Sequence, residues 1–270
     1  MNVRDDVLQP EGMYSRRLHE KYHGHIIQRA VEYKKGIMTV KRIVCIFILL
    51  FISISVLANV HAPLITASIQ QKLTPDDALH RLMIGNERFV ENKRQNSDFL
   101  KHARLTAKKQ HPIAIVLSCI DSRVPPEIIF DQTVGNIFVT RVAANVINKD
   151  VLAGMEYATK ISGAKLIVVL GHQSCGAIKG ACDNVKLGNL TQLLQKIQPA
   201  IQDATHSFGK KECDNPHFIN TAAEDNVQRV VNLIPEESPV IRQLIQQRRV
   251  KIIGAMYHLH SGKVILMHVL

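Results

Sequence analysis

The sequence predicts an α/β fold: a mainly parallel central β-sheet flanked by helices, in a single domain preceded by an apolar export segment. Three observations predict it. Short apolar runs at 113–117, 137–142 and 165–170 read as strands buried on both faces. Stretches of helical periodicity lie between and after them, the alternation expected of a parallel sheet covered on both sides. Two final runs, 251–256 and 263–268, flank a turn at His260-Ser261-Gly262; they read as a hairpin, which makes the sheet mixed.

The elements follow in order. Thr74 is a helix N-cap, with Pro75 at the first helical position and Asp76 and Asp77 in the first turn. Leu79, Leu82, Met83, Phe89 and Val90 then fall on one face, so 75–92 is an amphipathic helix. The polar, basic stretch 93–110 reads as a linker. The strand at 113–117 comes next, and the strand at 137–142 is entered through a turn at Gly135-Asn136. Val151, Leu152, Met155, Tyr157, Ala158 and Ile161 give 149–161 a helical pattern. The strand 165–170 is ended by Gly171. Helices follow at about 175–183, 189–204, 217–234 and 238–248, before the closing hairpin. No internal repeat is present, and no linker divides 63–270.

Ahead of this domain, residues 43–58 carry no charge and follow Lys41-Arg42 directly. Two readings compete. Val60-His61-Ala62 places small residues where a signal peptidase cuts, which gives an exported protein cleaved at about Ala62. Alternatively 43–64 is long enough to stay as a membrane anchor. A start at Met38 instead of Met1 gives a signal peptide of ordinary proportions. Residues 1–37 are then an N-terminal extension or a mis-assigned start, 38–62 the signal or anchor, and 63–270 the folded domain.

Composition narrows the function classes. The chain has 46% hydrophobic and 21% charged residues, as ordinary globular proteins do. Its net charge of +11 invites a nucleic-acid partner, but aromatics are only 5% and the basic residues stand in short groups. Without stacking residues such a surface is a solvated face, and no nucleic acid is expected. Of the five cysteines, Cys45 lies in the apolar segment with no lipobox around it. Cys182 and Cys213 match no site; free thiols are the first expectation and a bridge between them the alternative.

The chemistry collects at two strand ends, where open α/β sheets bind ligands. Ser118-Cys119-Ile120-Asp121-Ser122-Arg123 follows the first strand, and Gly171-His172-Gln173-Ser174-Cys175-Gly176 follows the third. If the backbone stays extended, Cys119, Asp121 and Arg123 project to one side. Cys175 opens a helix, where backbone N–H groups favour its thiolate. Two thiolates and an imidazole suit zinc. Asp121 is either the fourth ligand or is held away by Arg123, which leaves the site open for water. A single Cys or His at a half-buried strand end is more often packing. C-x-D-x-R and H-x-x-C at two parallel strand ends are a stronger signal, against which stand a structural zinc site and a Cys119–Cys175 disulfide.

With these residues in place the chain resembles the β-carbonic anhydrase family. The match runs through Cys119–Glu127 (CIDSRVPPE), Asn136–Arg141 (NIFVTR) and Val169–Gly176 (VLGHQSCG), in the family's order, and covers about 70–270. The resemblance implies reversible hydration of carbon dioxide to bicarbonate and a proton by attack of zinc-bound hydroxide. It implies Zn2+ on Cys119, His172 and Cys175. Asp121 would ligate the metal in an inactive form or pair with Arg123 in the active one. It further implies that Gln110, Phe138 and Tyr157 line a narrow substrate pocket at a dimer interface, in a homodimer or a tetramer of dimers. On pattern alone Phe138 and Tyr157 read as core and Gln110 as solvated loop. One departure stands out: Val142 occupies a position where many members have Asn, which alters the apolar wall. A carbonyl sulfide-type substrate is a close variant of the activity. A zinc-binding structural or interaction module without turnover is the reading from another class.

Overall fold

The computed structural model describes residues 63–269, with only the backbone for His268 and Val269, together with Glu32, Lys34, Lys35 and Met38, which are helical. The expected export segment lies outside the described residues. Among the described residues no helix is long and apolar enough to cross a membrane.

A five-stranded sheet in the order β2-β1-β3-β4-β5 forms the centre. The strands are β1 (Ala114–Ser118), β2 (Ile137–Arg141), β3 (Leu166–His172), β4 (Lys251–Tyr257) and β5 (Val264–Val269). Four run parallel, and β5 returns antiparallel to β4. The chain leaves β1 for β2 on one side and returns to β3 on the other, so the strand order reverses between β1 and β3. In open α/β sheets the crevice at such a reversal, beyond the carboxyl ends, is the ligand site. The motif residues stand at this point.

Alternation along the strands builds two cores. Ile115, Leu117, Ile167 and Val169 face one side, beneath the long helix Pro216–Glu237. Ala114, Val116, Leu166, Val168 and Leu170 face the other, beneath the helix Pro75–Val90. That helix begins as expected, with a capping box in which Thr74 and Asp77 satisfy each other's backbone N–H groups. Asn86, buried on its inner face, donates to the carbonyls of Ile129 and Gly262 and accepts from Val264 N–H. One amide therefore ties the helix both to the 126–130 segment and to the hairpin.

Several expectations need correction. The stretch 93–110 is not all linker: Phe99–Thr106 is a helix capped by Asp98, and Ala67–Lys72 and Pro126–Ile129 are further short helices. The single helix expected at 189–204 is two, Gly188–Gln195 and Gln198–Phe208. Pro199 has no N–H to give to the Gln195 carbonyl, so the first ladder stops and a second starts. Gly171 does not end β3, which continues through His172. A Cβ at Gly171 would lie 2.5 Å from Val227 Cγ2 and 2.6 Å from Met256 Sδ. The glycine is there because the long helix and β4 press on the strand.

Cys182 and Cys213 are joined in a disulfide, where free thiols were the first expectation. The bridge ties the helix Gly176–Cys182 to the loop before the helix Pro216–Glu237. Spacing alone does not show that the 209–215 loop folds back onto this helix end. With a separation of 31 residues, removing it by Cys182→Ser with Cys213→Ser is expected to cost about 2–4 kcal/mol. The measurement is the urea midpoint. A reductant should lower the midpoint of the wild type to that of the double variant and leave the variant unmoved.

Candidate metal centre

β1 stops at Ser118, and Cys119 is the first residue beyond it; His172 is the last residue of β3, and Cys175 is the N-cap of the helix Gly176–Cys182. Pairing of β1 with β3 sets Ser118 beside Leu170, so the next steps of both strands converge on one spot. A sulfur from each cysteine and a ring nitrogen of His172 all lie within 4.8 Å of one another, and all three residues are buried. Both cysteines are free thiols in the structure.

The electrostatics suit a cation. The hydrogen bond from the Cys175 thiol is the main cause holding Cys119 well below the ordinary thiol range; burial opposes it, and the backbone N–H groups of Asp121 and Ala144 reinforce it. The Ala144 N–H donates to Cys119 Sγ at 3.4 Å. Cys175 moves the other way, pushed up first by the same hydrogen bond and then by burial, against the N–H groups of Ile178 and Ala177. Two sulfurs this close and buried cannot both carry charge cheaply unless a cation joins them, as in a thiolate metal site.

His172 is oriented from behind. Its Nδ1 lies 2.8 Å from the Gln173 carbonyl oxygen. A carbonyl only accepts, so Nδ1 carries the hydrogen and the lone pair is on Nε2. Nε2 is buried and has no hydrogen-bond partner among the described residues. A buried acceptor aimed at two sulfurs and left unsatisfied is costly in a protein interior unless something else meets it.

Asp121 and Arg123 are paired, although not along an extended backbone. Residues 122–123 form a turn. Asp121 Oδ1 accepts from both Arg123 N–H and Nε–H at 2.9 Å, and Oδ2 accepts from Nη2 at 2.7 Å. These bonds hold the Asp121 carboxyl down at about 2, the Arg123 side chain contributing most and burial opposing. Oδ2 is 4.0 Å from His172 Nε2, so the carboxylate stands next to the cluster while committed to Arg123.

A carbonic anhydrase family profile matches residues 114–264 of the chain. A carbonic anhydrase of Mycobacterium tuberculosis is 34% identical over 198 residues, spanning 71% of this chain and 92% of that protein. The chain belongs to the β-class carbonic anhydrases. Among solved structures, a β-carbonic anhydrase of Aspergillus fumigatus shares the fold with a TM-score of 0.56 at 25% identity, covering 71% of this chain and 91% of that one. One of two tetrameric β-carbonic anhydrases of Sordaria macrospora does so with a TM-score of 0.59 at 22% identity, over 72% of this chain and 99% of that one.

Three residues expected at the substrate pocket of this carbonic anhydrase are placed elsewhere in the protomer. Gln110 and Tyr157 line one surface cavity, and the Phe138 ring stands 6.2 Å from that of Tyr157. None of the three borders the cavity at Cys119 and Asp121. Tyr157 is 56% exposed, which corrects its reading from pattern as a core residue. It opens a π-helical turn, Tyr157–Ile161, that continues the helix Lys149–Glu156.

Supporting residues that sequence reasoning passed over hold the loops of the carbonic anhydrase site in shape. Arg141, opposite Ser118 in register, donates to the carbonyls of Cys119 and Asp121. Asn220 accepts the N–H of Ser174, whose φ is 52°, and Asn226 donates to the carbonyl of Ala144, whose φ is 51°. Both asparagines stand on the long helix Pro216–Glu237. They stabilise left-handed backbone that non-glycine residues adopt at a cost. Only Arg141 carried a sequence signal, as a cation ending a strand inside a matched motif.

Proposed function

We propose that this enzyme hydrates carbon dioxide reversibly to bicarbonate and a proton, with one zinc ion held by Cys119, His172 and Cys175. The observation that carries the reading is the buried His172 Nε2, without a hydrogen-bond partner among the described residues, beside two free cysteines, while Asp121 is held to Arg123. Two sulfurs and an imidazole are a donor set that zinc prefers, with one coordination position left for a non-protein group. When bound, zinc brings the pKa of a water to about 7 and so supplies the nucleophile near neutral pH.

The chain's own residues do the remaining work. Gln173 fixes the His172 tautomer, and Ala144 N–H favours charge on Cys119. Arg123 keeps Asp121 off the cluster, yet leaves its Oδ2 near enough to orient a proton donor there. The Arg123 side chain, 52% exposed, offers the bicarbonate anion a route to solvent. The chain works as a homodimer or a tetramer of dimers, in which Gln110, Phe138 and Tyr157 of a second protomer complete the substrate pocket. Export, by cleavage near Ala62 or with 43–64 kept as an anchor, is supported by the Cys182–Cys213 disulfide, since such bridges persist in oxidising compartments.

Arg123→Ala tests the arrangement. It removes the largest cause of the low Asp121 pKa, so that carboxyl should rise from about 2 toward the ordinary value of about 4. The sign follows: in the wild type the pair is intact above the ordinary carboxylate range and fades only as pH falls toward about 2. Carbon dioxide hydration at pH near 8 should fall roughly 10–100-fold, with zinc content unchanged. Stopped-flow proton release and carboxyl NMR titration read both effects. Zinc-loaded wild-type protein that does not accelerate hydration would sink the proposal.

A further inference from the structure

Away from the metal centre the fold encloses a cavity of about 430 Å³, within the range of about 300–1,000 Å³ that ligand pockets occupy. It shares no lining residue with the cavity at Cys119 and Asp121. Three segments meet around it. They are the start of the helix Lys149–Glu156, the break between the helices Gly188–Gln195 and Gln198–Phe208, and one face of the helix Pro216–Glu237.

Its walls carry three kinds of group. Val146, Val230 and Leu233 are apolar. Lys149, Lys196 and Arg229 are cations. Arg229 is committed to Asp203 at 2.5 Å. Lys196 Nζ donates to the Ile147 carbonyl at 2.8 Å, a neutral partner that holds the ammonium in place without cancelling its charge. Lys149 has no acidic partner among the described residues. Against these two uncompensated lysines stands one acid in the lining, Glu237, so the cavity is net positive. The third kind of group is the Asn226 amide, on a residue only 3% exposed. Its Nδ2 donates to the Ala144 carbonyl at 2.8 Å, which fixes the amide's orientation because a carbonyl only accepts. Its Oδ1 accepts from no described residue. A buried amide oxygen that borders a cavity without a donor is an open hydrogen-bonding position.

Together these groups select an occupant. A carboxylate meets Lys149 and Lys196, a hydroxyl donates to Asn226 Oδ1, and an alkyl chain covers Val146, Val230 and Leu233. An inorganic anion would leave the apolar walls and the Asn226 oxygen unmet. A neutral lipid would bring nothing to the lysines. A phosphate dianion carries more charge than the lining balances, and Glu237 repels it. We propose that this cavity is a ligand site separate from the metal centre, and that it takes a small hydroxy acid with an apolar chain. The site does not depend on the carbon dioxide reading, because no metal ligand takes part in it.

Calorimetric titration of the zinc-loaded protein with 3-hydroxyoctanoate tests the site, and a roughly submillimolar Kd is expected. Octanoate, which lacks the hydroxyl, and octane-1,3-diol, which lacks the carboxylate, should each bind roughly tenfold more weakly. Two variants locate the binding. Lys196→Glu reverses a charge at the rim, and Leu233→Asp sets an anion on the apolar wall. Both residues are exposed, so the fold and the zinc content should hold, as circular dichroism and atomic emission check. Each variant should weaken 3-hydroxyoctanoate binding at least about tenfold. No binding to the wild type would overturn the site. So would an unchanged Kd in both variants, the result expected if the acid binds the metal instead. Octanoate bound as tightly as 3-hydroxyoctanoate would overturn the hydroxy acid as the ligand class.

Discussion

Cys119→Ser is expected to abolish zinc binding and carbon dioxide hydration together while the fold survives. Serine is nearly the same size, and Cys119 is 3% exposed, so the packing around it changes little. Its chemistry changes completely. The Cys119 thiolate is favoured by the Cys175 hydrogen bond and by backbone N–H groups, whereas a serine hydroxyl stays protonated and is a poor ligand for a borderline-soft ion. His172 and Cys175 would remain as a two-residue set. Even outer groups around a metal are worth about 10–100-fold in affinity, so loss of a direct ligand should exceed about 100-fold. Atomic emission measures the zinc, stopped-flow the activity and circular dichroism the fold. Full zinc content in the folded variant would remove Cys119 from the ligand set.

Gly85→Ala should be among the most damaging substitutions far from the site. Gly85 lies inside the helix Pro75–Val90, where alanine normally stabilises. Here a Cβ would fall 1.9 Å from the carbonyl oxygen of Phe130 and 2.7 Å from its carbon. Those are backbone atoms, so relief requires separating the helix from the 126–130 segment that Asn86 ties to it. The expected cost is about 3 kcal/mol, read as a fall in Tm of about 6–12 °C for a domain of this size. Gly154→Ala is the control. It lies in the helix Lys149–Glu156 with no described residue within 4 Å of the added carbon, and it should gain about 0.5–1 kcal/mol. Equal effects at the two glycines would refute the close approach.

The sheet was legible in the sequence because strands buried on both faces leave short apolar runs, and β1, β2 and β3 lie within about two residues of those runs. Short helices were not. Ala67–Lys72 and Phe99–Thr106 hold too few turns for periodicity to separate them from polar linker. The two glycines at 85 and 171 were equally silent, since what each approaches comes from a distant segment.

By itself the sequence determined the chemistry at the site: two cysteines, one histidine and an Asp-x-Arg pair, each at the carboxyl end of a buried run. It did so because ligand identity belongs to the residue and placement at a strand end is a local property. Tertiary structure alone decided how these groups meet. The reversal of strand order between β1 and β3 brings Cys119 to His172, and the turn at 122–123 commits Asp121 to Arg123. Folding of a distant loop joins Cys213 to Cys182. It also places Gln110, Phe138 and Tyr157 away from this protomer's own metal centre. Contacts between segments far apart in sequence depend on the register and packing of the whole sheet, and no local pattern encodes them.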